Sequence, residues 1–320
     1  MPPKILVTGA AGQIGSELVV ALRKRYGGKN VLATDKAVTR SQVSPGILEQ
    51  LDVMHLSSVE RTIRSHGIDT VYHLAAILSA SGEANPDLAW DVNMGGLKNV
   101  LDASARHGVS RVFWPSSIGV FGPDARKEGA PQETALNPTT MYGVTKVAGE
   151  LLCQYYYLKH GLDVRSVRFP GLISSEAKPG GGTTDYAVEI FYSALRSGSY
   201  TCFLRKDTVL PMMYMPDALR AVMELMDARE SRVRLHAAYN LAAVSFSAGD
   251  LAAEIKKHVP GFRVTYAPDS RQAIADSWPR SIDDSAARRD WGWKERYALP
   301  EMVEDMVARL RPRIAAGKDV

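Results

Sequence analysis

A short apolar strand that runs straight into a glycine-rich turn and an amphipathic helix constrains the fold of this chain most. Lys4 to Thr8 (KILVT) form the predicted strand, and residues 9–15 read GAAGQIG. Gly9 permits a tight turn, Gly12 lets backbone approach a ligand closely, and Gly15 lets helix and strand pack closely. The helix N-terminus then offers free N–H groups to an anion. The unit predicts dinucleotide binding, although a glycine triplet alone is equally compatible with a tight turn that binds nothing.

The second predicted strand places a carboxylate where a dinucleotide needs one. Asn30 to Thr34 (NVLAT) are followed by Asp35, twenty residues after Gly15. A carboxylate there accepts hydrogen bonds from both ribose hydroxyls of adenosine and repels a 2′-phosphate. The sequence therefore predicts NAD rather than NADP as the cofactor. Lys36 and Arg40 lie nearby and are the residues that would soften this preference.

Further residues predicted to border the cofactor lie in the glycine turn or follow later strands. Parallel strands end at one edge of a sheet, where a nucleotide lies. Each of the later residues taken singly is better explained as a loop or packing residue, so their order along the chain carries the prediction. The residues up to the fifth strand are Gly9, Gly12, Gln13, Ile14, Gly15, Asp35, Asp52, Val53, Leu74, Ala75, Ala76 and Asn93.

A serine, a tyrosine and a lysine supply the groups that oxidation of an alcohol requires. Tyr142 and Lys146 are one helical turn apart, and Ser116 and Ser117 lie about 25 residues upstream. An ammonium beside a phenol is expected to lower the phenol pKa, and about three units would bring it near pH 7. Such a phenol is a proton acceptor, and a serine hydroxyl can hold the substrate oxygen. The alternative is an exposed helix whose tyrosine and lysine are unrelated.

Together these motifs resemble the extended short-chain dehydrogenases/reductases of the epimerase-like branch, over almost the whole chain. In that family the catalytic hydroxyl lies four residues before the aromatic residue of a Val-aromatic-Gly triplet. Here the triplet is residues 120–122 (VFG), which selects Ser117 and leaves Ser116 as a neighbour that can share its task.

The resemblance also implies roles for the other residues of the site. Tyr142 is expected to be the base, and Lys146 is expected to support it and to bind the nicotinamide ribose. Phe169 and Pro170 are expected to border the nicotinamide, and with Tyr142 and Lys146 they complete the predicted cofactor set. A homodimer is expected as well, paired through helices near residues 88–107 and 142–160.

The expected fold is α/β, a Rossmann-type doubly wound parallel sheet with a smaller C-terminal substrate lobe. Strand–helix units repeat up to about residue 170, and the segments after that are short. We therefore expect an NAD-binding domain over residues 1–178 and a substrate lobe over residues 179–320, with some late segments returning to the sheet. The predicted junction is the glycine-rich loop at residues 179–182.

Composition excludes several classes of protein. Cys153 and Cys202 form no C-x-x-C motif, and the seven histidines lack ligand spacing, so we predict neither a disulfide framework nor a metal site. A net charge of +4 gives no nucleic-acid footprint. The first strand begins at Lys4, which leaves no room for a targeting segment, and no apolar run approaches a membrane span. We expect a cytoplasmic protein.

The substrate half lacks the arginine with which sugar-nucleotide epimerases usually bind a diphosphate. Five blocks instead resemble the subfamily that oxidises the 3-hydroxyl of L-threonine to 2-amino-3-oxobutanoate with NAD and without a metal. The blocks are residues 78–81 (LSAS), 115–123 (PSSIGVFGP), 180–186 (GGGTTDY), 209–217 (VLPMMYMPD) and 275–284 (ADSWPRSIDD). A sugar-nucleotide epimerase or dehydratase and a non-catalytic NAD-sensing protein stay open as alternatives.

A small zwitterionic substrate needs partners for both of its charges in a closed cleft. The residues predicted to bind it are Ser79, Ser117, Tyr142, Thr183, Thr184 and Trp278. Hydroxyls and backbone N–H groups of the glycine-rich loop are expected to form an anion-binding nest for the carboxylate. The threonine pair is equally compatible with a helix N-cap, and the tryptophan with an ordinary core aromatic.

Overall fold

A seven-stranded parallel sheet forms the centre of the molecule, which the computed structural model describes over residues 2–37, 46–177 and 180–317. In chain order its strands are β1 (Ile5–Thr8), β2 (Val31–Asp35), β3 (Leu48–Gln50), β4 (Thr70–His73), β5 (Arg111–Ser117), β6 (Asp163–Phe169) and β10 (Tyr239–Asn240). The spatial order is β3-β2-β1-β4-β5-β6-β10. This is the strand order of a doubly wound nucleotide-binding sheet. The predicted fold class is confirmed.

Two smaller sheets lie outside the central one. Their strands are β7 (Gly171–Ile173), β8 (Ser199–Cys202), β9 (Val209–Tyr214), β11 (Val244–Ser247) and β12 (Arg263–Tyr266). β9 lies between β11 and β7, and β12 pairs with β8 in parallel.

Helices cover both faces of the central sheet. The first six are α1 (Gln13–Tyr26), α2 (Leu56–His66), α3 (Ser79–Ala84), α4 (Pro86–Trp90), α5 (Gly96–Arg106) and α6 (Met141–His160). The others are α7 (Tyr186–Arg196), α8 (Met215–Asp227), α9 (Ala248–His258), α10 (Arg271–Ser277), α11 (Ser285–Trp291) and α12 (Leu299–Ala315). One face packs on α1, α8 and α11, and the other on α2, α5 and α6.

Strand β1 shows why the sheet strands are apolar throughout. Ile5 and Val7 join the core beneath α1, whereas Leu6 joins the core on the opposite face. Side chains alternate between the faces of a strand, so a strand covered on both sides must be apolar at every position.

The C-terminal half has its own apolar core, built around α7, α9 and α12. It also returns to the central sheet, because β10 pairs in parallel with β6. The proposed boundary at residues 178 and 179 lies outside the described residues, and the division into two domains stays a prediction.

A loop after β5 is joined to the segment that follows α10. The Ala130 N–H donates to the Ser281 carbonyl, and the Asp283 N–H donates to the Ala130 carbonyl, both at 2.9 Å. Lys127 Nζ donates to the carbonyls of Asp276 (2.8 Å) and Trp278 (3.3 Å). These bonds fix residues 276–283 against the half of the chain that carries the central sheet.

Candidate active site

The glycine turn packs so closely against the chain after β4 that side chains are excluded. Gly9 has a φ of 69°, and a Cβ there would lie 2.5 Å from the Ala75 nitrogen. A Cβ on Gly15 would lie 2.2 Å from the Gly9 carbonyl oxygen, so α1 and β1 meet at backbone contact. The N-terminus of α1 is therefore approached over bare backbone, as a pyrophosphate requires.

Asp35 stands at the end of β2 with its carboxylate held by backbone. Oδ2 accepts from the Ala11 N–H (3.0 Å) and Oδ1 from the Lys36 N–H (2.8 Å). Lys36 Nζ lies 3.2 Å from Asp52 Oδ2, so this cation already has a partner. The other cation expected to weaken the NAD preference, Arg40, lies outside the described residues. The fixed carboxylate beside the glycine turn suits the adenosine ribose.

Two adjoining cavities bring together most of the residues predicted to bind the cofactor. The first, the cofactor groove, is lined by Gly9, Gly12, Gln13, Ile14, Gly15, Leu74, Ala76 and their neighbours. The second, the catalytic cavity, shares Gln13, Ile14, Leu74 and Ala76 with it and adds Phe169 and Pro170. The shared wall makes one continuous path that suits an extended dinucleotide. Asp35, Asp52, Val53, Ala75 and Asn93 line neither cavity.

Asn93, predicted to contact the cofactor, is instead used within the protein. Its Oδ1 accepts from the Ile77 N–H (2.8 Å), and its Nδ2 donates to the Ile77 carbonyl and to Thr145 Oγ1, each at 3.1 Å. An asparagine amide has two donor hydrogens, and both are engaged. Asn93 therefore holds the chain after β4 against α6 and offers no donor to a ligand.

Ser117, Tyr142 and Lys146 line the catalytic cavity together. Ser117 is the last residue of β5, and its hydroxyl lies near the Tyr142 phenol: both border the same side of Gly119. Lys146, one turn along α6, donates from Nζ to the Pro115 carbonyl at 2.6 Å. The N-cap residue Thr140 accepts the Gly143 N–H at 3.0 Å, which fixes the start of α6 and the tyrosine beside it.

The pKa values in this group differ from the expectation that lysine lowers the tyrosine pKa. Burial raises the pKa of Tyr142, and the hydrogen bond from Ser117 only partly opposes it. Burial also lowers the pKa of Lys146 to about 7, against the weaker opposing charges of Cys153 and Glu150. The lysine nitrogen lies 5.5 Å from the Tyr142 ring centroid and bonds to a carbonyl. The predicted lowering of the tyrosine pKa is therefore not seen here, because desolvation disfavours both charged forms.

Ser116 also lines the catalytic cavity, but its hydroxyl is engaged by a buried ion pair that sequence reasoning missed. Its Oγ donates to Glu150 Oε1 at 2.6 Å. Glu150 also accepts two hydrogen bonds from Arg168, at 2.8 and 2.7 Å, and all three residues are buried. The expectation that Ser116 shares the task of Ser117 is not supported, since its hydrogen is committed to Glu150.

The residues predicted to bind substrate converge on the same cavity. Ser79, Thr183, Thr184 and Trp278 all line it together with Ser117 and Tyr142. Ser79 Oγ lies 3.3 Å from Thr183 Oγ1, so the two hydroxyls support each other across the cavity wall. Trp278 is buried at the end of α10. Residues 104 positions apart in the chain thus form one polar wall.

The anion-binding nest expected in the glycine-rich loop is filled by the protein itself. The N–H groups of Gly181 and Gly182 donate to Asp185 Oδ2 at 2.8 and 2.7 Å, and the Thr183 N–H donates to Ser79 Oγ at 3.3 Å. These backbone donors are not free for a substrate carboxylate. Sequence reasoning missed this role of Asp185. The available signal was its position three residues after Gly182, from which a carboxylate can accept hydrogen bonds from the N–H groups of the loop.

A second buried group, His73, was also missed. It ends β4, and its Nδ1 lies 2.7 Å from Thr8 Oγ1. Burial lowers its pKa to about 3, with a smaller effect from Lys146, so the imidazole is neutral. The apolar strand around it gave no signal of a titratable group.

Among the described residues, no cluster of three or more histidine, cysteine, aspartate or glutamate side chains is arranged to hold a metal ion. Within the same part of the chain, no helix combines the length and apolar character needed to cross a bilayer.

The sheet, the glycine turn and the Ser-Tyr-Lys group define a dinucleotide-dependent oxidoreductase of the short-chain type. Comparison with known proteins agrees: the model of the NAD dependent epimerase/dehydratase family matches residues 5–242. The chain belongs to this family, and its cofactor is NAD. The resemblance inferred from the sequence is confirmed.

Relatives of known sequence or structure are similar over nearly their whole length. An uncharacterized epimerase/dehydratase from Staphylococcus haemolyticus is 51% identical, over 97% of this chain and 98% of the relative. The holo form of an L-threonine dehydrogenase from Cupriavidus necator is 52% identical with a TM-score of 0.93, covering 96% of this chain and 100% of that one. A monomeric L-threonine 3-dehydrogenase from a metagenome is 51% identical with a TM-score of 0.94, covering 96% and 99%.

Proposed function

We propose that this protein oxidises the 3-hydroxyl of L-threonine to 2-amino-3-oxobutanoate with NAD. The observation that carries the proposal is the shared cavity of Ser117, Tyr142 and Lys146 with the small polar wall of Ser79 and Thr183. The solved neighbours described as threonine dehydrogenases support it. NAD, when bound along the cofactor groove, supplies the hydride acceptor.

The protein's own groups account for the other half of the oxidation. Ser117 orients the substrate hydroxyl, and Tyr142, in its phenolate form, takes the hydroxyl proton while the hydride leaves from the same carbon. Ser117 and Tyr142 line one cavity, which allows both groups to reach one substrate oxygen. Lys146, one turn along α6 from Tyr142, would hold the nicotinamide ribose.

The region that would clamp a nucleotide diphosphate is apolar. β9 leads directly into α8, and Leu210, Met212, Met213 and Met215 along this segment are buried. Buried methionine and leucine side chains offer no charge to a diphosphate. This favours a small substrate over a sugar nucleotide.

We also propose that two copies pair through the exposed apolar face of α4 and α6. Six large apolar side chains are exposed there: Leu88, Trp90, Val144, Leu151, Tyr155 and Leu158. Three of them, Leu151, Tyr155 and Leu158, follow helical spacing on α6 and are 50–66% exposed. Since one solved neighbour is described as monomeric, light scattering of the purified protein and of Leu151→Glu is the appropriate test. A monomeric parent protein would contradict this pairing.

One assay tests the activity. NADH formation is followed with L-threonine, D-threonine, L-serine and a UDP-hexose as separate substrates. We expect L-threonine to give the highest kcat/KM. Turnover of the UDP-hexose without turnover of L-threonine would instead favour an epimerase or dehydratase, and NAD binding without any turnover would favour an NAD-sensing protein.

A further inference from the structure

Asp185 is a buried carboxylate on the wall of the catalytic cavity. It lines the same space as Ser117 and Tyr142 and is only 7% exposed. Both hydrogen bonds that the structure gives it are made by Oδ2, which accepts from the Gly181 and Gly182 N–H groups. No described hydrogen bond reaches Oδ1.

No cation neutralises this carboxylate within the described part of the chain. Asp185 forms no salt bridge there, and its side chain makes no hydrogen bond there other than the two from Gly181 and Gly182. Arg271 has a small lowering effect on the pKa of Asp185, but this arginine pairs with Asp269 at 2.6 Å and stacks on Phe203. A buried charge without a partner is costly, so carboxylates of this kind are normally paired.

The electrostatics agree with the geometry. Burial raises the pKa of Asp185, although the two backbone N–H groups oppose the rise, and nearby Glu189 adds to it. A positive charge entering the cavity would remove this penalty.

We infer that Asp185 is the counter-ion that receives the ammonium group of the amino acid substrate. The inference rests on the proposed function, because threonine brings a hydroxyl, a carboxylate and an ammonium into one small cavity. The hydroxyl meets Ser117 and Tyr142, and the ammonium meets the one carboxylate that the structure places on this wall among the described residues. Asp185 is thus a specificity-determining residue for amino alcohols over simple hydroxy acids.

The test compares L-threonine with (R)-3-hydroxybutanoate, which has the same hydroxyl and carboxylate but no ammonium. The variant is Asp185→Asn, which keeps an oxygen to accept the loop N–H groups and removes the charge. We expect kcat/KM for L-threonine to fall by about 10- to 100-fold, mainly through KM, because a charge-assisted contact is lost. For (R)-3-hydroxybutanoate we expect a change within about twofold, since its binding does not use this contact.

Glu189→Gln provides the matched control. Glu189 lies one turn after Asp185, on α7 and outside the cavity, and its carboxylate accepts a hydrogen bond from Tyr200. The substitution therefore removes the same charge as Asp185→Asn at a position that does not line the cavity. We expect equal, small effects of this substitution on both substrates. Thermal unfolding and NAD titration of each variant show whether the loop is intact.

The outcomes separate this inference from the proposed function. An Asp185→Asn enzyme that oxidises L-threonine as well as the parent overturns the counter-ion role and leaves the activity in place. An equal loss on both substrates also overturns it, because the residue would then be structural. If the variant does not fold, the parent enzyme still tests ammonium recognition: equal kcat/KM for the two substrates contradicts the inference. A parent enzyme inactive on L-threonine overturns both proposals.

Discussion

The Lys146 ammonium donates a 2.6 Å hydrogen bond to the carbonyl of Pro115, two residues before the hydroxyl that contacts Tyr142. The bond ties α6 to the end of β5 at the level of the reacting groups. It also places a lysine whose pKa burial lowers to about 7 in a fully enclosed position. The buried position that this hydrogen bond maintains is therefore also the cause of the lowered lysine pKa.

Replacement of Lys146 by methionine is expected to change how stability depends on pH. In the unfolded chain the lysine binds a proton below its ordinary pKa near 10.5, whereas in the folded protein it does so only below about 7. Between these values the unfolded state binds more protons, so the lysine lowers stability progressively as pH falls from about 10 to 7. We expect urea unfolding to show Lys146→Met gaining stability relative to the parent at pH 7 and losing that advantage near pH 10. A pH-independent difference would contradict the lowered pKa.

Tyr142→Phe is expected to abolish chemistry without loss of fold. Phenylalanine keeps the ring but cannot accept the alcohol proton, and loss of a positioned base costs about 10²- to 10⁴-fold in rate. The loss should appear in kcat, with NAD affinity by titration nearly unchanged. Tyr155→Phe, on the exposed side of the same helix, is the control and should retain full activity. If Tyr142→Phe oxidised L-threonine at nearly the parental rate, Tyr142 would not be the base.

Cofactor choice is expected to follow Asp35. Its carboxylate is fixed beside the glycine turn, and Lys36 is engaged with Asp52. We expect kcat/KM for NAD to exceed that for NADP by at least about tenfold, which corresponds to about 1.4 kcal/mol. Asp35→Ser should narrow the ratio by admitting a 2′-phosphate. Equal use of both cofactors by the parent would show that a basic residue outweighs the carboxylate.

Glu150→Gln is expected to destabilise the protein strongly. The substitution leaves Arg168 buried without its charge partner, and breaking such a pair costs about 3–5 kcal/mol. The free energy of unfolding in urea is the measurement. Glu254→Gln is the control, because its partner Lys257 is 66% exposed and such pairs contribute about 0–1 kcal/mol. If both variants lost the same unfolding free energy, the buried pair would contribute no more to stability than the exposed one.

The fold and the three residues proposed to react could be predicted from the sequence because they depend on local spacing. Gly9 to Gly15 fix a turn, and Tyr142 and Lys146 share a helix face, so each pattern is readable within a few residues. Glu150 and Arg168 are 18 residues apart on different elements, and only packing reveals that they are paired. The loop N–H groups looked available to substrate because the sequence does not show that Asp185 turns back onto them. The tyrosine pKa was misjudged since it depends on burial, which spacing does not measure.

The bonds that join residues 127–130 to residues 276–283 attach Trp278 to the loop that follows β5 and Ser117. Moving the indole away from the hydroxyl would break the Lys127 contacts and the paired N–H bonds at Ala130 together. Room for a bulkier alcohol is therefore expected to come at lower cost from residues outside these bonds, such as Leu172 and Thr184, which line the same cavity.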